Sequence, residues 1–210
     1  MTEMYKSRWD EIGLSDDFIF GKVMRKPRLC KKLLQIILPE LDIERIEYPE
    51  WQREFKPDMD SKGIRVDVYV KDDSNRVYDI EIQVKNTGEL PQRSRYYQGV
   101  VDADQMKKGQ TYGSLRDSYI IFICMTDIFQ KGLHKYTFVN VCREAGGLVL
   151  GDGATKIFLN ARGIMNDVSS DLMAFLNYLK GIKSENTYVE ELDEAVKEAK
   201  NPAAFKSITV

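Results

Sequence analysis

The 210-residue sequence has little of what most protein metal and redox chemistry is built from: one histidine, His134, and three cysteines, Cys30, Cys124 and Cys142. No two cysteines fall at ligand spacing, which excludes zinc fingers and CxxC redox motifs. The thiols are odd in number and far apart, and Cys30 and Cys124 lie inside apolar runs where a thiol behaves as a small hydrophobe. Any metal must therefore sit on carboxylates. Also missing is an apolar run of the roughly 18–20 residues that a membrane span needs, and the start MTEMYKSRWDEI has no apolar stretch behind a basic region. The expectation is a cytoplasmic chain with no membrane span. Internal repeats and low-complexity segments are absent as well.

What is present is enough length, with 43% hydrophobic residues, to bury a sizeable core. The net charge of −2 averages unlike regions. Residues 184–200 hold six acids against two bases, a local net of −4, so the rest sums to +2. Within that rest, Lys22, Arg25, Lys26, Arg28, Lys31 and Lys32 form a run without an acid. Such a run is compatible with phosphate contact, although on a helix it is more often a solvated face.

Helix signals begin at Ser15, a good N-cap before Asp16 and Asp17. A second helix follows Pro27 and ends at Pro39, and a short strand is expected near 43–48. After Gly88 a helix is expected from about Leu90 to Lys108, closed by Gly109. The apolar run SYIIFICM (118–125) reads as a strand buried on both faces. Two more strands, near 136–143 and 156–160, flank glycine-rich turns, and from Asn166 the pattern is helical. The reading is an α/β or α+β core over residues 1–165 with a helical extension over 166–210.

The informative segment is GIRVDVYVKDDSNRVYDIEIQVK (63–85), two alternating runs about Asp-Asp-Ser-Asn. A three-residue loop Asp73-Ser74-Asn75, with Asn75 left-handed, sets Asp72 against Arg76 and Asp67 against Glu81. It also sends Ile64, Val66, Val68, Val70, Tyr78, Ile80, Ile82 and Val84 to one face. Arg65, Asp67, Tyr69, Asp79, Glu81, Gln83 and Lys85 go to the other, so that one face is core and one polar.

Opposed carboxylates on a hairpin suit a small hard cation, Mg²⁺ or Mn²⁺, with the backbone carbonyl of Ile82 as a neutral ligand. A cation there polarises a phosphoryl oxygen and activates water, and phosphodiester hydrolysis is the natural use. Charged outer faces are also common on ordinary strands. Like charges facing each other are nevertheless destabilising, so Asp67 opposite Glu81 needs a cation, either a metal or a neighbour such as Arg65 or Lys85.

With DDFIFGKVM, RVDVYV, YDIEIQVKN, RSRYYQGVVDADQMKKG and YIIFICM in this order, the chain resembles the PD-(D/E)XK nuclease family transposases, also called Rpn recombination-promoting nucleases. The resemblance implies a restriction-endonuclease-like core, a mixed central sheet flanked by helices, with a C-terminal helical extension and chains that usually continue past Val210. It further implies metal-dependent cleavage of DNA linked to recombination or mobile elements. Asp67 and Glu81 would then be the metal-binding acids. Gln83 stands where the wider superfamily has lysine, and Lys85, on the same face, is the candidate for the missing charge. Asp17 is a candidate third acid. The literal Pro57-Asp58 is set aside as loop.

Arg93, Arg95, Tyr97 and Gln98 on the following helix, with Lys22, are candidates for contacting a DNA strand by charge and stacking. The alternative from a different class is a nuclease-like fold without catalysis, serving DNA binding or protein interaction. The acidic C-terminal helix is a candidate element for homo-oligomer formation.

Overall fold

The computed structural model describes residues 12–47, 50–56, 60 and 62–201. Helix α1 (Asp17–Met24) is capped by Asp16, whose side chain accepts from the N–H groups of Phe18 and Ile19. Asp16 thus takes the capping place expected of Ser15. Helix α2 (Pro27–Ile37) starts on its proline and buries Leu29, Leu33, Leu34, Ile36 and Ile37.

Three strands follow: β1 (Glu50–Phe55), β2 (Ile64–Lys71) and β3 (Val77–Gln83). Helix α3 (Leu90–Gln105) crosses over to β4 (Ser118–Cys124), then come β5 (Lys135–Phe138) and β6 (Ala154–Asn160). Helices α4 (Ser170–Leu179) and α5 (Thr187–Lys200) close the described chain. The order of element types follows the sequence reading, with shifted bounds. The early strand lies at Glu50–Phe55, whereas the 43–48 segment contributes only a bridge from Ile46 to Asp72, with Tyr48 outside the described residues.

The six strands form one mixed sheet in the order β1-β2-β3-β4-β6-β5. β1, β2 and β3 pair antiparallel, β3, β4 and β6 parallel, and β5 returns antiparallel on the edge. A parallel β3–β4 pair needs a crossover, and α3 is that crossover.

Both faces of the sheet are covered, which corrects the expectation of one polar face. α1, α2, α4 and α5 pack with Val68, Val70, Ile80, Ile121 and Ile157 on one side. On the other, Leu90, Tyr97, Val100 and Val101 of α3 pack with Val66, Tyr69, Val77, Ile120 and Phe122. β3 is accordingly buried almost throughout.

The acidic helix α5 contributes Tyr188, Leu192, Val196 and Ala199 to the first of these clusters, and the Tyr188 hydroxyl donates to the carbonyl of Leu29. Its acids meet the basic run: Lys26 pairs with Glu198, and Arg28 with Glu191 at 2.6 Å. That charge run is thus largely an intramolecular seam. Among the described residues no helix is long and apolar enough to cross a membrane.

Candidate functional site

The hairpin forms in the expected register. Tyr69 faces Asp79 and Val70 faces Tyr78, and Asn75 closes the loop at φ +60°. Asp72 locks the turn by accepting from the N–H groups of Ser74 and Arg76, the Arg76 guanidinium and the Tyr78 hydroxyl.

The backbone ladder between β2 and β3 extends only to Val68–Ile80. Beyond it the side chains take over: the Asp67 N–H donates to Glu81 Oε1 at 2.8 Å, and the Ile82 N–H donates to Asp67 Oδ2 at 3.1 Å. The two acids are thus cross-laced into the opposite backbone.

This substitution coincides with a slip in side-chain alternation. Val66 and Val68, two residues apart, pack on opposite faces of the sheet, as do their partners Arg53 and Trp51 on β1. Between those pairs lie Asp67 and Gln52, the latter at φ +52°. A left-handed non-glycine residue inside a strand is strained, and such strain concentrates at functional sites. Ile64 and Val66 therefore belong to the α3 face rather than to the face of Val68.

α1 is brought against this kink by Trp51, which stacks edge-on against Phe18 at 5.5 Å. A Cβ on Gly21 would lie 2.0 Å from the Trp51 indole nitrogen, so only glycine allows the approach. Asp17, exposed at the first position of α1, is thereby placed where its charge raises the Asp67 carboxyl. It makes no hydrogen bond to either acid.

Arg93, in the first turn of α3, reaches back over the carboxyl end of β3. Its guanidinium donates to Gln83 Oε1 at 2.9 Å and pairs with Glu81 Oε2. It lies over the rings of Tyr97 and Phe122, at 4.7 and 5.2 Å from their centroids. Gln83 spends its amide N–H on the carbonyl of Lys85. Lys85 itself is exposed past the end of β3, and its ammonium has no partner among the described residues.

Asp79 was read only as one of the polar-face residues. It is fully buried, shares the α3 face with Glu81, and neither of its carboxylate oxygens has a hydrogen-bond partner among the described residues. The Tyr69 hydroxyl opposite it also lacks a partner among the described residues. The signal was its place two residues before Glu81 on one strand face.

Burial and mutual repulsion dominate the electrostatics. The Glu81 carboxyl is pushed up to about 8, first by burial and then by the charge of Asp67, against the pull of Arg93. Asp67 is raised by burial and then by Asp17, and its hydrogen bond from Ile82 acts the other way. Asp79 is raised well above the usual carboxylate range by burial and by Glu81 and Asp67. Burial and repulsion thus favour protons on these carboxyls, which a bound cation would have to displace.

The proposed strand-contacting residues divide. Arg93 turns inward to Glu81 and Gln83 while still lining a groove of about 810 Å³ with Lys62, Arg65, Gln92 and Tyr96. Arg95 is exposed. Tyr97 and Gln98 are buried, Gln98 donating to the Ser118 hydroxyl and to Asp102 at 3.3 Å, so helix geometry removes both from the surface. Lys22 donates to the Ala199 carbonyl at the end of α5, at 3.0 Å. Exposed Tyr96, whose hydroxyl donates to the Lys62 carbonyl, takes the outward position expected of Tyr97.

Among the described residues, no three of His, Cys, Asp and Glu gather closely enough to cage a metal. Asp67 and Glu81, with the Ile82 carbonyl between Glu81 and Gln83, instead suit a cation that keeps much of its water and is completed by a substrate phosphate. Asp67 Oδ1 accepts no hydrogen bond among the described residues, and an added positive charge would relieve both raised carboxyls.

Neither the curated proteins nor the solved structures give a match to this chain. The profile of the PD-(D/E)XK nuclease family transposases matches residues 17–207, nearly the whole described chain. A six-stranded mixed sheet flanked by helices is the restriction-endonuclease-like arrangement that this family implies. With the sheet, the laced acids and this match together, the chain belongs to the PD-(D/E)XK nuclease family transposases.

Proposed function

We propose that the protein is a Mg²⁺- or Mn²⁺-dependent DNA endonuclease that acts in recombination or mobile-element processes in the cytoplasm. The observation that carries this reading is the reciprocal lacing of Asp67 and Glu81 beside a groove lined by Lys62, Arg65, Arg93 and Tyr96. Nuclease membership makes DNA the expected substrate.

Asp67 and Glu81, with the Ile82 carbonyl, would hold the cation, which supplies Lewis acidity at a phosphoryl oxygen and a water of lowered pKa. The chain's own residues do the rest. Lys62, Arg65 and Arg93 outnumber Glu54 and Glu89 along the groove, a positive balance that attracts the backbone phosphates. The first turn of α3 adds the positive end of a helix on the same side. Tyr96, partly exposed, offers a ring face for an unstacked base. In hydrolysis, a water oxygen forms the new bond to phosphorus, the bond to the leaving deoxyribose oxygen breaks, and that oxygen takes up a proton. Asp17, whose charge acts on Asp67, adds negative charge at the exposed start of α1.

Supercoiled plasmid incubated with the protein and Mg²⁺ or Mn²⁺ should be nicked and linearised. Asp67→Ala and Glu81→Ala should abolish the cleavage. Cleavage that survives both substitutions would overturn the site.

A further inference from the structure

We propose that Arg93 is the positive charge acting on the scissile phosphate and that Gln83 is its positioning residue. This rests on the nuclease reading above.

The need for a cation follows from charge. Asp67 and Glu81 face each other on β2 and β3, with Asp79 buried two residues earlier on β3, and a phosphodiester entering beside the pair brings negative charge, which grows on the phosphoryl oxygens as the bond to the leaving group breaks. A preorganised donor in a water-poor site stabilises that charge most. Gln83 cannot supply it. It is neutral, and both ends of its amide are engaged: Oε1 accepts from Arg93, and the NH₂ group donates to the Lys85 carbonyl. Lys85 stands past the end of the strand, exposed, and its ammonium has no partner among the described residues that would hold it in place.

Arg93 meets each requirement. It comes from the first turn of a helix, not a loop, and its plane is held by Glu81 and Gln83 along one edge and by the rings of Tyr97 and Phe122. Its two terminal nitrogens each donate to one of those oxygens, and the guanidinium also has a side-chain hydrogen bond with Tyr97. The side chain remains 34% exposed and lines the groove, so part of the guanidinium is open to the space a strand would occupy. Gln83 thus fixes where the guanidinium points, and Glu81 couples it to the acid pair. A planar fork of this kind engages two phosphate oxygens at once, which lysine cannot do.

The test measures cleavage of an end-labelled DNA duplex with Mn²⁺ by the full chain and by Arg93→Ala, Arg93→Gln, Gln83→Ala and Arg93→Ala/Gln83→Ala, with thermal melts and Mn²⁺ isotherms on each. Arg93→Ala should lose about 100-fold or more in rate. Millimolar guanidinium should restore part of it, and Mn²⁺ binding should persist. Arg93→Gln, which keeps donors but not charge, should fall with it. Gln83→Ala should lose about 10-fold alone and nothing further once Arg93 is gone, a non-additivity expected of residues that act as one unit.

Cleavage by Arg93→Ala within a few-fold of the parent would overturn this proposal while leaving the nuclease reading intact. A loss that guanidinium does not rescue, accompanied by a lowered melting temperature in both Arg93 variants, would also overturn it by making Arg93 structural. A parent chain that binds Mn²⁺ but never cleaves DNA would remove the nuclease reading and this inference with it.

Discussion

Asp67 and Glu81 are joined through the backbone rather than side chain to side chain: the Asp67 N–H donates to Glu81 Oε1 at 2.8 Å, where a strand ladder would use a carbonyl. Removing either carboxylate therefore strips a partner from a backbone N–H as well as charge from the site. Asp67→Asn and Glu81→Gln keep an acceptor oxygen for those donors. The amide variants should melt at or above the parent temperature in the absence of metal, because they remove unfavourable buried charge, and yet lose Mn²⁺ binding and cleavage. The alanine variants should lose stability too, by about 1–3 kcal/mol for an unsatisfied donor. Melts, isotherms and cleavage rates on the four variants check the split.

The raised Glu81 carboxyl gives a pH dependence of definite sign. Its pKa rises on folding from 4.5 to about 8, so between those values the folded chain holds a proton that the unfolded chain has released. Its contribution to stability is complete below about pH 4.5 and is lost as the pH rises through 8. Asp67 and Asp79 shift in the same direction. The metal-free melting temperature should therefore fall from pH 5 to 8, and fall less in Glu81→Gln. Divalent cation affinity runs the other way, because the ligand must lose its proton first, and should rise up to about pH 8 and then level. A metal-free melting temperature that climbs between pH 5 and 8 in the parent and not in Glu81→Gln would contradict the assignment.

The hairpin was legible because its information is local. Asp-Asp-Ser-Asn admits few loops, and asparagine tolerates the left-handed region found at φ +60°. Asn75 is exposed, so substitution there reads backbone conformation almost alone. Asn75→Gly should be near neutral and Asn75→Val should cost about 1–2 kcal/mol in denaturant unfolding.

Other parts of the site were hidden for reasons that are equally physical. β1 is an edge strand with charged residues at Glu50, Arg53 and Glu54, and charge on an edge blunts the alternation by which strands are recognised. The change of face between Val66 and Val68 comes from Gln52 and Asp67 on paired strands, a tertiary event with no signature in β2 alone. The bonds of Arg93 to Glu81 and Gln83 were not legible, because they exist only once α3 has crossed over the sheet. Tyr97 and Gln98 were correctly placed on that helix, and which of its residues point inward depended on a phase that composition did not supply.

Gly21 tests how α1 is held against the kinked strand. An added methyl would meet the Trp51 indole at 2.0 Å, a rigid ring packed against Phe18. Gly21→Ala would ordinarily favour a helix by about 0.8–1.0 kcal/mol. Here overpacking should win, with a net loss of about 1–3 kcal/mol by denaturant unfolding and a weaker influence of Asp17 on the acid pair. Gly21→Ala/Trp51→Phe should recover part of the loss by making room.

The C-terminal helix separates packing from charge. Its ion pairs with the basic run are exposed on at least one side, with Lys26 and Glu198 at 46% and 68%, and exposed pairs are worth about 0–1 kcal/mol each. Its apolar face is another matter, since Leu192 is fully buried in the cluster shared with α1, α2 and α4. Leu192→Ala should therefore cost about 2–5 kcal/mol, while Lys26→Ala and Arg28→Ala each cost less than about 1 kcal/mol. Raising the salt concentration should shrink the penalties of Lys26→Ala and Arg28→Ala and leave the Leu192→Ala penalty unchanged, because screening acts on the pairs and not on the apolar contact. If α5 served mainly to join copies of the chain, that penalty would depend on protein concentration; an intramolecular lock makes it concentration-independent. Equilibrium unfolding at two protein concentrations, with sedimentation on the same samples, distinguishes the two.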